Sequence, residues 1–161
     1  MVVDADALFA LANLVDSRDS LTLSSSQRLL TPHSGELAWF DADFGEVTTD
    51  ADLRALAALW QSVILHKGFP SRIIDPACDR IYSNPTGNPA ATTAGCGDVL
   101  AGMCASLLAQ GLTAGDAAFL GTYIAGLAAD LWVADWLLPS LRASDVISYI
   151  PQAVKTALSS K

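Results

Sequence analysis

Two spacings of apolar residues alternate along the first half of the chain, and the changes from one to the other mark its elements. Val2 and Val3 form a short buried strand that runs straight into a helix expected over 5–15, with Leu8, Leu11, Ala12 and Val15 on one face. A polar, serine-rich connection follows over 16–27. The run 28–32 reads as a strand stopped by Pro32, after which 33–36 opens a short helix reaching Phe40. Beyond a loop over 44–50, Thr49 or Asp50 is placed to cap a helix over 51–62, whose core face carries Leu53, Leu56, Ala57 and Trp60. The apolar run 63–68 is a further strand, ended by Gly68.

In the second half, segments 72–75 and 80–83 flank a turn over 76–79, the pattern of an antiparallel β-hairpin at a sheet edge. Helices are then expected over 99–110, with Gly111 as the stop, over 114–138, and over 151–158 with Pro151 in the first turn. Gly102, Gly121 and Gly126 lie inside these helical runs. Each costs about 1 kcal/mol against alanine, which points to close helix approach as their use. Strands alternating with helices predict an α/β fold with a mostly parallel sheet, in which ligands gather at the carboxyl ends of the strands.

The 161 residues fit one domain, long enough to bury roughly 70% of the unfolded surface. Hydrophobic residues make up 52% and charged residues 16%, with mean hydropathy +0.37. That balance calls for a large interior, or for a face that expects a partner such as a second copy in a homo-oligomer. The formal charge is −8 and Lys plus Arg number only nine, which argues against nucleic-acid binding. No basic amphipathic stretch suggests a membrane surface. The run 117–138 is long enough to cross a bilayer, but Asp130 and Asp135 would be costly there, and it reads as a buried helix. Cys78, Cys96 and Cys104 are odd in number and form no C-x-x-C pair, so neither a disulfide framework nor a zinc site is indicated. With no signal-peptide pattern at the N-terminus, a cytoplasmic location is expected.

The chemistry concentrates in 84–102, where turn formers and small polar residues pass through Gly95, Cys96, Gly97 and Asp98 into an apolar helical pattern. A loop feeding a helix N-terminus presents free amides and a positive dipole, and the glycines allow close approach to the main chain. Such a site suits a phosphate. Asp98 has two readings: ordinary capping of the helix, or a general base that takes a proton from a hydroxyl while nearby amides stabilise a transferring phosphoryl group.

Three other strand ends carry ionisable groups. Asp4 and Asp6 follow the first strand, with helix capping expected for at least one of them. His33 stands three residues before Glu36 at the second strand-to-helix corner, either a surface polar residue or part of a site. Lys67, the first lysine of the chain, ends the apolar run from Val63. It either meets a phosphate or extends its ammonium to solvent from an apolar stem.

Taken in order, V-V-D-A-D-A-L, T-P-H-S-G-E, H-K-G, N-P-T-G-N-P and G-C-G-D-V-L-A-G resemble the motifs of the ADP- or ATP-dependent NAD(P)H-hydrate dehydratases, a branch of the ribokinase-like superfamily. The resemblance covers nearly the whole chain. It implies a ribokinase-like three-layer sandwich around a mostly parallel sheet, here one partial domain over 1–161 that lacks the strands preceding V-V-D-A-D in the family. It further implies phosphorylation of the C6 hydroxyl of (S)-NAD(P)H hydrate by ADP or ATP, followed by phosphate elimination to restore NAD(P)H. Asp98 would then be the catalytic base and touch the substrate, His33 would bind the hydrate, and Gly95, Cys96 and Gly97 would form the anion hole. Lys67, Gly68, Phe69, Pro70 and Ser71, with Gly97, would bind the nucleotide. Mg2+ is implied as a cofactor, with Glu36 as a candidate to order it through water, and an NAD(P)H-hydrate epimerase as a partner. Ser34 replaces the usual proline of the second motif, Cys96 a usual threonine, and Ser71 the threonine of K-G-x-x-T. Two alternatives remain at this point: a thiazole- or pyrimidine-alcohol kinase of the same superfamily, disfavoured by His33 where those kinases carry asparagine, and an inactive module that folds by pairing its open edge with another chain.

Overall fold

The structure is a computed structural model and describes residues 1–13, 27–40, 49–78 and 81–159. Among these residues, five strands form one sheet in chain order: β1 (Val2–Val3), β2 (Leu29–Leu30), β3 (Val63–His66), β4 (Arg72–Ile74) and β5 (Ile81–Ser83). The pairs β1–β2 and β2–β3 are parallel, whereas β3–β4 and β4–β5 are antiparallel, so β4 alone runs against the others. The expected edge hairpin is therefore present as β4 and β5. The connection over 16–26, the end of the first helix at Val15 and the loop over 44–48 lie outside the described residues.

Sheet register explains the layers. Val3, Leu30, Ile64, Ile74 and Ile81 are successive cross-strand partners and point to one face. There they pack against α1 (Asp6–Ala12), α2 (Ser34–Leu37), the 3-10 turn Ala38–Phe40 and α3 (Asp50–Leu59). Their neighbours one residue away, Val2, Leu29, Val63, Leu65 and Ile73, face the opposite side, as the two-residue period of a strand requires. That side is covered by Leu100, Cys104 and Leu108 of α4 (Cys96–Ala109) and by Ala114 and Ala118 of α5 (Ala114–Trp136). The result is the expected three-layer arrangement. Leu8, Leu30, Leu56 and Ile64 are fully buried, and each such side chain contributes roughly 1.5–3 kcal/mol by leaving water.

A third cluster joins α5 to α6 (Ala143–Ser159) through Ile124, Ala128, Trp132, Val146 and Ala153. The helix expected to begin at Pro151 in fact begins eight residues earlier, with Pro151 inside it. The carbonyl that Pro151 leaves without a donor belongs to Ile147, and both residues are exposed, so water replaces the lost bond. The polar segment from Ala143 to Asp145 hides this start from a reading based on apolar periodicity. Arg28, 2% exposed, is spent on the C-terminal end of α3: it donates to Ser62 Oγ at 2.6 Å and to the carbonyls of Trp60 and Gln61 at 2.7 and 3.1 Å. This is the charge that a helix C-terminus favours; burial lowers the guanidinium pKa from its ordinary value.

Candidate active site

The carboxyl ends of β1, β2 and β3 bring three charged side chains together. Asp4 follows β1 and caps nothing: α1 is preceded by Ala5, which makes no side-chain cap. Instead Asp4 Oδ1 accepts from Thr31 Oγ1 and from Lys67 Nζ, each at 2.7 Å. Lys67 Nζ also lies 3.3 Å from Glu36 Oε2. The helix-capping expectation for Asp4 is thus replaced by an ion pair, because the partner arrives from β3, 63 residues on, where sequence spacing gives no signal.

His33 and Glu36 form a reciprocal cap at the start of α2. The Glu36 amide donates to His33 Nδ1 at 3.1 Å, and Glu36 Oε2 accepts from the His33 amide at 2.7 Å. With Nδ1 accepting, the proton of a neutral His33 ring sits on Nε2. The His33 side chain is 57% exposed while that of Glu36 is 7% exposed, so the imidazole is presented and the carboxylate is held beneath it. His33 pairs with Lys67 in a parallel bridge beyond β2 and β3, which sets these two corners side by side.

The third corner is the start of α4. Gly95, at φ +88, is the N-cap, Cys96 is the first helical residue and Asp98 the third. The helix therefore starts earlier than expected, and Asp98 lies inside its first turn. The amides of Gly97 and Asp98 have no acceptor among the described residues, as expected of a helix N-terminus. A Cβ on Gly97 would sit 3.6 Å from Lys67 Nζ, so the ammonium lies beside the first turn of α4. Cys96 Sγ lies 3.2 Å from Thr93 Oγ1, which donates to the Leu141 carbonyl at 2.7 Å and so ties the loop to the connection before α6.

These corners open onto a cleft of about 470 Å³. His33, Lys67, Gly68, Phe69, Ser71 and Gly95, together with Cys96 and Gly97, line it. Pro70 follows Phe69 through a cis peptide bond and is exposed outside the lining. Glu36 lies behind Lys67. Asp98 is exposed and is not among the residues that line the cleft, although its neighbour Gly97 is; among the described residues its carboxylate has no hydrogen-bond or ion-pair partner. The same cleft takes in Asn84, Thr86 and Gly87 from the loop after β5, Thr122 and Gly126 from α5, and Val146 from α6. Apolar patterning had marked the two helices only as core. The single hint of their role was Gly126 within an otherwise apolar run.

Beside the His33 corner lies a polar network centred on the buried His66. Arg72 donates from NH2 toward His66 Nδ1 at 3.0 Å and from NH1 to Asp50 Oδ1 at 2.7 Å. Because guanidinium only donates, Nδ1 is the acceptor and His66 Nε2–H donates to Ser34 Oγ at 3.1 Å. Burial, then the Arg72 charge, then His33, lower the His66 pKa to about 4. Ser34, a departure from the usual proline of this motif, is the group that receives this bond.

The profile of the NAD(P)H-hydrate dehydratase family matches residues 1–152. The chain belongs to that family. The bifunctional NAD(P)H-hydrate repair enzyme Nnr of Moorella thermoacetica is 40% identical over 157 residues, spanning 96% of this chain and 29% of the relative. The ADP-dependent (S)-NAD(P)H-hydrate dehydratase of Neisseria meningitidis serogroup B is 37% identical over 134 residues, 81% of this chain and 45% of the relative. Among solved structures, the ADP/ATP-dependent NAD(P)H-hydrate dehydratase of Bacillus subtilis, co-crystallized with ATP/Mg2+, matches with TM-score 0.76 at 27% identity, covering 96% of this chain and 54% of its own. A ribokinase of Thermotoga maritima matches with TM-score 0.57 at 16% identity over 93% of this chain and 56% of its own, which shows the ribokinase-like fold. The chain thus spans less than half of these curated relatives and about half of the solved chains.

Membership in the NAD(P)H-hydrate dehydratase family favours the dehydratase over the alcohol-kinase alternative.

Proposed function

We propose that this chain carries the nucleotide-binding and catalytic half of an ADP- or ATP-dependent (S)-NAD(P)H-hydrate dehydratase, a carbon–oxygen lyase that repairs hydrated nicotinamide cofactors in the cytoplasm. The observation that carries this reading is the Lys67 ammonium beside Gly97 in the first turn of α4, both lining one cleft, an arrangement that suits an anion. Phosphate oxygens of the nucleotide bind there, with Gly68, Phe69, Pro70 and Ser71 forming the turn that follows Lys67. His33, whose Nε2 lies 3.6 Å from Glu36 Oε1, offers its exposed ring to the hydrate.

Asp98 takes the proton from the C6 hydroxyl as that oxygen attacks the terminal phosphoryl group. The amides of Gly95 and Gly97, with Lys67, stabilise the charge that develops on the transferring group, whereas the Cys96 amide is spent on the Thr93 carbonyl at 3.2 Å. Loss of the phosphate from C6 and of a proton from C5 then restores the ring double bond, so ADP and hydrate yield NAD(P)H, AMP and phosphate. An exposed, unpaired carboxylate next to the lining residue Gly97 suits a base, since no partner must first be displaced.

Among the described residues no group of three or more His, Cys, Asp or Glu side chains gathers to hold a metal. The carboxylates of Asp4 and Glu36 are hard oxygen donors already engaged by Lys67. This fits Mg2+ carried chiefly by nucleotide phosphates, with Glu36 reached through water; when bound it neutralises phosphate charge. An NAD(P)H-hydrate epimerase, which would supply the S form, is the partner this reaction needs.

The test is turnover of (S)-NADHX with ADP, followed by the appearance of NADH, in the full-length protein. Asp98→Asn should lower kcat by at least about 10²-fold while ADP binding persists. Turnover retained by that variant would remove Asp98 from the mechanism.

A further inference from the structure

The loop after β5 is fastened to α5 in a way that concerns the ligand more than the fold. Asn84, 5% exposed, donates from Nδ2 to the Thr86 carbonyl at 2.8 Å and to the Thr122 carbonyl at 3.3 Å. Thr86 Oγ1 donates to the Tyr123 carbonyl at 2.8 Å. The Gly87 amide donates to Asp130 Oδ2 at 2.8 Å, a charge-assisted bond of the stronger kind. The loop and helix meet so closely that a Cβ on Gly126 would lie 2.5 Å from Thr86 Oγ1 and 2.8 Å from the Gly87 nitrogen. Gly126 and Asp130 are four residues apart and hence on one face of α5.

Both polar ends of the Thr86–Gly87 peptide are therefore taken, its carbonyl by Asn84 and its amide by Asp130. Thr86, Gly87 and Gly126 line the cleft, as does Phe69, whose ring approaches within 4.0 Å of where a Gly87 Cβ would stand. With its N–H spent and its carbonyl already accepting, the peptide has no donor left and offers a ligand chiefly its flat face. Gly87 at φ +117 keeps that face bare of a side chain.

We propose that Asp130 and Gly126 are positioning residues that hold peptide 86–87 as a flat wall, beside Phe69, for the planar base of the nucleotide. The inference rests on the nucleotide reading above and adds to it where the base lies. Lys67 and the α4 amides receive the phosphates, and the clasped peptide receives the ring. A carboxamide at position 130 retains an oxygen that accepts from Gly87, whereas alanine does not.

The test compares ADP with inorganic pyrophosphate by isothermal titration of the 161-residue chain. Asp130→Ala should weaken ADP binding about tenfold and Asp130→Asn by no more than twofold, with pyrophosphate binding unchanged in both. Gly126→Ala should behave as Asp130→Ala, and thermal melts verify that each variant is folded. The proposal is overturned if Asp130→Ala binds ADP within twofold of wild type, or loses ADP and pyrophosphate equally. A wild-type chain that binds pyrophosphate and ADP with the same affinity overturns it too, leaving the anion site intact. A wild-type chain that binds neither overturns the nucleotide reading and this proposal with it.

Discussion

His66 shows how much a single side chain can contribute without touching a ligand. Its ring joins Ser34 on α2 to Arg72 on β4, and through Arg72 to Asp50 at the start of α3. In the folded chain it protonates only near pH 4, against about 6.5 when unfolded. Since the unfolded chain then binds more protons between these values, the neutral ring's contribution to stability is complete above pH 6.5 and is lost as pH falls toward 4. The melting temperature of the wild-type chain should fall across this window, and His66→Gln should flatten that part of the profile; an unchanged slope in the variant would show that other groups set it. Residue types identified His33, Lys67 and the Gly95 to Asp98 run as site candidates, and eight of the residues named for nucleotide, anion or hydrate contact line one cleft, Pro70 and Asp98 being outside it. What escaped was pairing across distance. Neither the Asp4–Lys67 ion pair nor the Arg72–His66–Ser34 series leaves a periodic trace, because each depends on which strands become neighbours.

Among elements, α4 and α5 separate two glycines that look alike in the sequence. A Cβ on Gly121 would lie 2.9 Å from Cys104 Sγ and 3.5 Å from the Cys104 nitrogen, whereas one on Gly102 would meet nothing within 4 Å. Cys104 is fully buried, and its thiol is pushed up to about 12 by burial and then by the charge of Asp4, so it packs as a neutral group. Alanine at Gly102 should stabilise the chain by up to about 1 kcal/mol through helix propensity. The same change at Gly121 should destabilise it, because forcing a methyl into a filled contact costs about 1–3 kcal/mol. Denaturant midpoints of the two variants should thus move in opposite directions, and a shared direction would contradict the packing described for α5. Order and type of the elements were legible because strand and helix periods differ clearly in this chain. The start of α6 was not, since its first turn is polar and its proline lies in an exposed interior turn.

For the molecule as a whole, layers and chemistry share one origin: the three parallel strands that build the core also deliver Asp4, His33 and Lys67 to a single end. Lys67 is there opposed by two carboxylates, Asp4 and Glu36, within a chain of formal charge −8. Taken together the three groups sum to one negative formal charge, and Asp98 stands exposed in the first turn of α4. A polyphosphate approaching from solution meets net repulsion before it meets any amide. Added monovalent salt shortens the reach of that repulsion, from about 30 Å at 0.01 M to about 8 Å at 0.15 M. The association rate of ADP should therefore climb with ionic strength, the reverse of what a basic phosphate-binding surface shows, and stopped-flow measurements over that range would detect it. A rate that falls with salt would place the controlling charge on Lys67 alone. On the proposed function, the ion pair that fixes Lys67 would thus also make the protein a slow collector of free nucleotide in dilute buffer and a faster one at higher salt.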